Sequence, residues 1–355
     1  MRNLLQSAKM GILFSIVLCE EGRASLCYRE CDDNDPDKEH FYRTLVTKSK
    51  TDHPPINMPY RSCTKVMVGS CNVLVCFSIP HHGIDDPIYI CNPYTREYVN
   101  LPGITEKDGL VVSGFGYHQV TNEYKVVRIY NKFLDQASAA QIEVYTLGSS
   151  HGWRKIGKVA CQFLSSPGIL VDGALHWLDR ICRTITAFDL VDEEFKLILS
   201  PPCLNNSGKY SSYRLHEVGG HLCVVHKEPS DRVDIWLLKM TGRNKLCDSS
   251  MNRHDSYDSS WSWCKEFSIA WQGLNKCEDY EPFALLKNNN VLLWYNRAVL
   301  CCYDLEAKTF KKLMGDAAAG DLKYFQAIPH KNTIVSLKAL GEKSKLRKCI
   351  EINEW

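Results

Sequence analysis

Residues 88–98, Ile-Tyr-Ile-Cys-Asn-Pro-Tyr-Thr-Arg-Glu-Tyr, end an apolar strand at Asn92-Pro93, pass through a polar turn, and bring back an aromatic ring, Tyr98, six residues after the asparagine. The phrase recurs as Asp189-Leu190 with Phe195 and as Asp304-Leu305 with Phe310, and a looser copy runs from Thr146-Leu147 to Trp153. Copies begin 54, 43 and 115 residues apart, and the last interval leaves room for one degenerate copy around Val233–Leu238. That period suits blade-type β repeats. A unit of this size cannot bury its own apolar face, so copies must stack. A stacked scaffold points to loops offered to a partner more than to a single buried reaction centre.

Strand signals dominate the rest of the chain. Runs such as Lys125–Ile129, Leu175–Leu178, His221–His226 and Val299–Tyr303 are short, rich in β-branched, aromatic or Leu residues, and bounded by turn formers. Hairpin corners fall at Gly69-Ser70-Cys71-Asn72, Thr121-Asn122-Glu123, Asp172-Gly173, Gly219-Gly220 and Asn288-Asn289-Asn290. Asn, Asp and Gly tolerate the positive φ that tight hairpins demand. The apolar stretch 11–19 leads into Glu20-Glu21-Gly22-Arg23 with no small-residue cleavage site, so it reads as a first strand paired with residues 25–31, not as a secretory signal.

Counting hairpins with their phrases predicts an all-β propeller of about six four-stranded blades, near residues 11–50, 63–102, 110–157, 168–202, 215–271 and 283–314. The first blade is incomplete on its own strands, and a strand pair within 324–340 is expected to close onto it, since a ring leaves no free edge. The domain reading is a short N-terminal remnant at 1–10, a propeller over 11–340 and a polar, frayed C-terminal tail at 341–355.

The 43 basic and 41 acidic residues nearly cancel, which argues against a general binder of nucleic acid or anionic membrane. No apolar run reaches the roughly 18 residues that span a bilayer. Of 17 cysteines, Cys76, Cys161, Cys223, Cys264, Cys301 and Cys302 lie in or beside apolar runs, where thiols act as small core hydrophobes, and no Cys-x-x-Cys pair exists. A reducing compartment, cytosol or nucleus, is expected.

Seven motifs occur in a fixed order: Val-Gly-Ser-Cys-Asn with Leu-Val-Cys (68–76), Asn-Pro-Tyr-Thr-Arg-Glu-Tyr with Leu-Pro (92–102), Gly-Phe-Gly-Tyr-His with Thr-Asn-Glu-Tyr-Lys-Val-Val (114–127), Val-Tyr-Thr-Leu with Trp-Arg-Lys-Ile-Gly (144–157), Val-Asp-Gly-Ala-Leu-His-Trp-Leu (171–178), Phe-Asp-Leu with Glu-Glu-Phe (188–195) and Val-Asp-Ile-Trp-Leu-Leu-Lys (233–239). Together they resemble the F-box-associated, kelch-like β-propeller domain of plant F-box proteins. The resemblance implies the substrate-recognition part of an SCF-type E3 ubiquitin ligase, with a protein substrate held on the propeller loops. It also implies an F-box ahead of the propeller. Met1–Met10 lack the helices that grip a Skp-type adaptor, so a module uncoupled from adaptor and cullin is expected unless an F-box lies upstream. Where the family pattern has Gly after Ser-Cys-Asn, this chain has Val73, a β-branched residue that strains a turn needing positive φ.

No reaction centre stands out. His216, His221 and His226 are evenly spaced, but a five-residue step flips a strand side chain to the other face. There is no Gly-x-Ser-x-Gly elbow, and Gly114-x-Gly116 lacks a third glycine and runs into a hairpin. Asp32-Asp33, Asp85-Asp86 and Glu193-Glu194 read as solvated turn carboxylates. The expectation is a non-enzymatic interaction protein without cofactor or metal. Its candidate partner-binding residues are aromatics beside the longest polar inserts, Tyr210, Tyr213, Tyr257 and Trp261, with Trp263 turned into a blade core. The alternative is a propeller lectin or hydrolase with its site at the central channel.

Overall fold

The computed structural model describes residues 10–18, 23–30, 50–57, 67–81, 84–105, 109–131, 139–160, 163, 166–179, 182–205, 212–227, 232–240, 261–270, 280–285, 290–295, 299–314, 322–331 and 334–346. They form six antiparallel sheets. From the inner strand outward, the first blade is Leu322–Lys331, Met10–Leu18, Arg23–Glu30 and Lys50–Asn57. The second is Met67–Cys71, Leu74–His81, Ile84–Cys91 and Glu97–Asn100, with Lys345–Leu346 added as a fifth, outermost strand. The third is Leu110–His118, Glu123–Asn131, Ala140–Thr146 and Trp153–Val159; the fourth is Ile169–Val171, Ala174–Leu178, Ile185–Asp189 and Phe195–Ile198. The fifth is Ser212–Val218, His221–Lys227, Arg232–Met240 and Trp261–Ala270; the sixth is Tyr280–Leu285, Asn290–Tyr295, Val299–Asp304 and Thr309–Met314.

Each inner strand touches the inner strand of the next blade, and Leu322–Lys331 touches both Tyr280–Leu285 and Met67–Cys71, which closes the ring. The first blade, expected to be incomplete on its own strands, is completed by Leu322–Lys331, paired antiparallel with Met10–Leu18 from Met10↔Lys331 to Leu18↔Leu322. Ser70 Oγ of the second blade lies 2.7 Å from His330 Nδ1 of the first. Among the described residues the helical content is one turn, α1, Pro202–Asn205, and no helix is long and apolar enough to cross a membrane.

Blades have two buried faces, and the sequence shows it as unbroken apolar runs whose alternate residues face opposite neighbours. In Leu222-Cys223-Val224-Val225, the first and third residues pack with the fourth blade's Val171, Ala174 and Ile185. Cys223 and Val225 pack with the sixth blade's Leu293, Cys301 and Tyr303. Val126 and Val127 divide the same way between the second and fourth blades. Gly114 and Gly116 let neighbouring blades approach closely: a Cβ on Gly114 would fall 2.9 Å from Leu175 and Trp177, and one on Gly116 would fall 2.6 Å from Leu190. Trp177 and His176 are buried, as is Trp263, while Trp153 and Trp236 pack partly buried against the core.

The hairpin corners carry the positive φ read from their residue types: Asn122, Asp172-Gly173 and Gly219-Gly220. The corner at Asn288-Asn289 lies outside the described residues. Asn72 (φ 41°) and Val73 (φ 88°) turn together, so the β-branched side chain does sit in left-handed backbone, and it is buried there.

Residues 334–346 form a docked strap, which takes in the first six residues of the tail expected at 341–355. Leu337 is fully buried among Leu74, Tyr124 and Leu147, and Glu97 accepts hydrogen bonds from Leu337 N and from Ser336 Oγ. Glu342 takes Gly148 N at 2.8 Å and the Tyr145 hydroxyl. Lys345–Leu346 then pair with Tyr98 and Glu97. This strap ties the second blade to the third.

Candidate functional site

In a four-stranded antiparallel blade the turns joining strands one to two and three to four lie at one end, and the remaining connections at the other. The repeated phrase builds the three-to-four turns. Asn92 Oδ1 accepts the N–H groups of Tyr94 and Thr95, Asp189 Oδ1 those of Val191 and Asp192, and Asp304 Oδ1 those of Glu306 and Ala307. Four residues after each carboxyl or amide, Arg96, Glu193 and Lys308 adopt φ of 62°, 56° and 55°. The side-chain cap is why Asn or Asp begins these three copies. The returning ring then packs on an aromatic of the third strand: Tyr98 on Tyr89, Phe195 on Phe188, Phe310 on Tyr303 and Trp153 on Tyr145, with centroids 4.7 to 5.5 Å apart.

These stiff turns hold apolar side chains out into solvent. Of the nine large hydrophobics exposed among the described residues, six lie at this one end: Tyr94 (59%), Val120 (88%), Val191 (44%), Met240 (64%), Ile334 (65%) and Leu346 (72%), which pairs with Glu97. They come from the second, third, fourth and fifth blades and from the strap. Isolated surface hydrophobics are ordinary; these are gathered at one end of the ring.

The sequence-derived candidates do not form one site. Tyr210 and Tyr257 lie outside the described residues. Tyr213 is half-buried, stacked on His226 with centroids 4.8 Å apart and donating to Cys203 O at 3.2 Å. It shares a rung with His226, Asp234 and Ser268. Trp261 shares a rung with Met240 at the other end of the same blade, roughly 20 Å along the strand. Trp261 therefore sits at the edge of the turn face, and Tyr213 sits at the opposite end.

Charged groups at the turn face are mostly spent on holding turns to neighbouring blades. Lys125 Nζ donates to Leu190 O at 2.6 Å and reaches Glu193 at 2.9 Å, and Arg154 meets the same carboxylate at 2.6 Å. Burial pushes the Glu193 carboxyl up, but the hydrogen bonds from Arg154 and Lys125 outweigh it and hold the group below its usual range. His216 and His221 share one sheet face and His226 the other, judged from their rungs with Cys223, Val218 and Tyr213. Among the described residues no three His, Cys, Asp or Glu side chains converge as a metal site. Burial pushes the thiols of Cys71, Cys76, Cys91 and Cys223 up, away from thiolate chemistry.

Comparison with known proteins gives the same architecture a family. The F-box associated beta propeller domain matches residues 20–333. F-box protein At3g07870 of Arabidopsis thaliana is 30% identical over 314 residues, covering 76% of this chain and 69% of that protein. F-box protein CPR1 of the same plant is 26% identical over 303 residues, covering 76% of this chain and 67% of that protein. F-box/kelch-repeat protein At3g23880, also of Arabidopsis thaliana, is 28% identical over 188 residues, half of this chain and 49% of that protein. A family match over residues 20–333, on a closed ring of six blades, means that this chain belongs to the F-box associated β-propeller family.

Proposed function

We propose that the chain is a substrate-recognition module of an SCF-type ubiquitin ligase system, and that it holds a protein substrate on the face built by the one-to-two and three-to-four turns. The observation that carries this reading is the gathering of exposed Tyr94, Val120 and Val191 on turns, Met240 at a strand end and Ile334 on the strap at one end of successive blades. Apolar anchors on rigid turns fit a protein surface, because little side-chain or loop entropy is lost when they dock. Coupling to a Skp-type adaptor and cullin belongs to an F-box. The module's working compartment is the cytosol or nucleus.

The test is quantitative affinity capture from cells expressing the chain, against a variant carrying Tyr94→Ser, Val120→Ser, Val191→Ser and Met240→Ser. A target is a protein lost from the variant whose half-life lengthens when the endogenous protein is depleted. Capture unchanged by all four substitutions would overturn the reading of the face.

A further inference from the structure

We propose that the part of the turn face shared by the third and fourth blades takes a partner segment whose apolar side chains are flanked by lysines or arginines. The proposal rests on the turn face being the recognition surface.

Three turns meet there. Gly173 O accepts Leu190 N at 3.2 Å, and a Cβ on Gly173 would fall 2.8 Å from the His118 ring. The turns at 118–123, 172–173 and 189–194 thus form one continuous surface, locked from below by Lys125 on Leu190 and Glu193. Val120 and Val191 project from it, and Leu190 between them and the core is fully buried, so the platform is firm.

Its charge is one-sided. The carboxylates are Glu123, Asp172, Asp189, Asp192, Glu193 and Glu194, six against the three cations Lys125, Arg154 and Lys196. Those cations are already engaged: Lys125 with Glu123 and Glu193, Arg154 with Glu193, and Lys196 with Asp189 and Asp192. Asp172 and Glu194 are exposed and lie in no ion pair among the described residues. The neighbouring part of the face has the opposite sign. Arg96, Lys338 and Lys343 are exposed there, while the Glu97 and Glu342 carboxylates are used on the strap and its contacts. A face divided in this way repels an acidic segment, a nucleic acid or an anionic membrane at the valines and orients a basic one over them.

The test uses the full chain and three synthetic peptides: one with an Ile-Leu core flanked by arginines, the same core flanked by glutamates, and an arginine-flanked glycine core. The first is expected to bind, with hydrogen exchange slowed at 118–123, 172–173 and 189–194. Val120→Ser with Val191→Ser is expected to weaken it about tenfold. Asp172→Asn with Glu194→Gln should weaken it severalfold and flatten its salt dependence. Equal binding of the glutamate-flanked or glycine-core peptide, or no binding of the first, would overturn the proposal. Protection confined to the Tyr94 and Met240 turns would overturn it while leaving the turn face as the recognition surface. Protection at the Tyr213 end would overturn both.

Discussion

The guanidinium of Arg128 lies over the indole of Trp153, 3.9 Å from the ring centroid, and from there reaches two carboxylates. Its Nε donates to Glu143 at 2.6 Å, and Nη1 bridges to Asp86 of the neighbouring blade at 3.2 Å. Asp86 Oδ2 also accepts Ile104 N, and Trp153 Nε1 donates to Pro102 O, so one buried cation fixes the linker between the second and third blades.

Removing Arg128 leaves Asp86 buried without a counter-charge. Arg128→Ala is expected to cost about 3–5 kcal/mol. Arg128→Lys should recover only part of that, since the ammonium cannot stack and donate in two directions at once. Urea unfolding monitored by Trp fluorescence measures both. A loss under about 1 kcal/mol for the alanine variant would mean that the network is not a stability element.

Leu337→Ala, in the strap, should cost about 2–4 kcal/mol, because Leu337 is fully buried among residues of two blades. The adjacent exposed Lys338→Ala should stay within about 0.5 kcal/mol of the parent. Equal effects in thermal melts would show that the strap is not part of the core.

Val73 in left-handed backbone makes a distinctive expectation. Its strain, about 1–3 kcal/mol, offsets the roughly 1.5 kcal/mol gained by burying a valine side chain. Val73→Gly should therefore fall within about 1 kcal/mol of neutral, whereas Val126→Gly, buried in regular strand, should lose about 3 kcal/mol or more. Comparable losses at the two positions would contradict the strained turn.

Acid should destabilise the ring in two steps. Burial pushes His176 down to about 4, and its Nδ1 lies 3.1 Å from Ile169 O. The unfolded chain takes up that proton near pH 6.5 and the folded chain does not until near pH 4, so stability falls across that window by up to about 3 kcal/mol. The carboxylates of Glu193, Asp189 and Asp234 are raised by burial but held lower on balance by their hydrogen bonds and cations. Their contribution is present above their unfolded values and is lost as pH falls through the folded ones, below about pH 4. Denaturation midpoints measured against pH should flatten between pH 6.5 and 5 in His176→Asn. An unchanged profile would remove His176 from the account.

What the sequence carries in local order was legible. The Asn or Asp of each phrase caps its own turn two and three residues on, and Asp172-Gly173 selects its hairpin, so blades and corners could be read directly. Relations across the fold were not. Arg128 meets Asp86 at a separation of 42 residues and Glu342 meets Gly148 at 194, with no periodicity to signal either. Tyr213 and Trp261 look alike beside polar inserts, yet they lie at opposite ends of one blade, because strand direction within the sheet decides which face a residue joins. The exposed Val120 and Val191 were passed over because an apolar residue in a turn carries no local sign of whether the turn folds back over it.

The recognition face is tested most directly by titrating a captured target against the purified chain. We expect the Tyr94, Val120, Val191 and Met240 serine variant to bind at least about tenfold more weakly, and Leu110→Ser, exposed at the opposite end of the ring, to bind as the parent does. Loss with Leu110→Ser and full affinity in the fourfold variant would contradict the account.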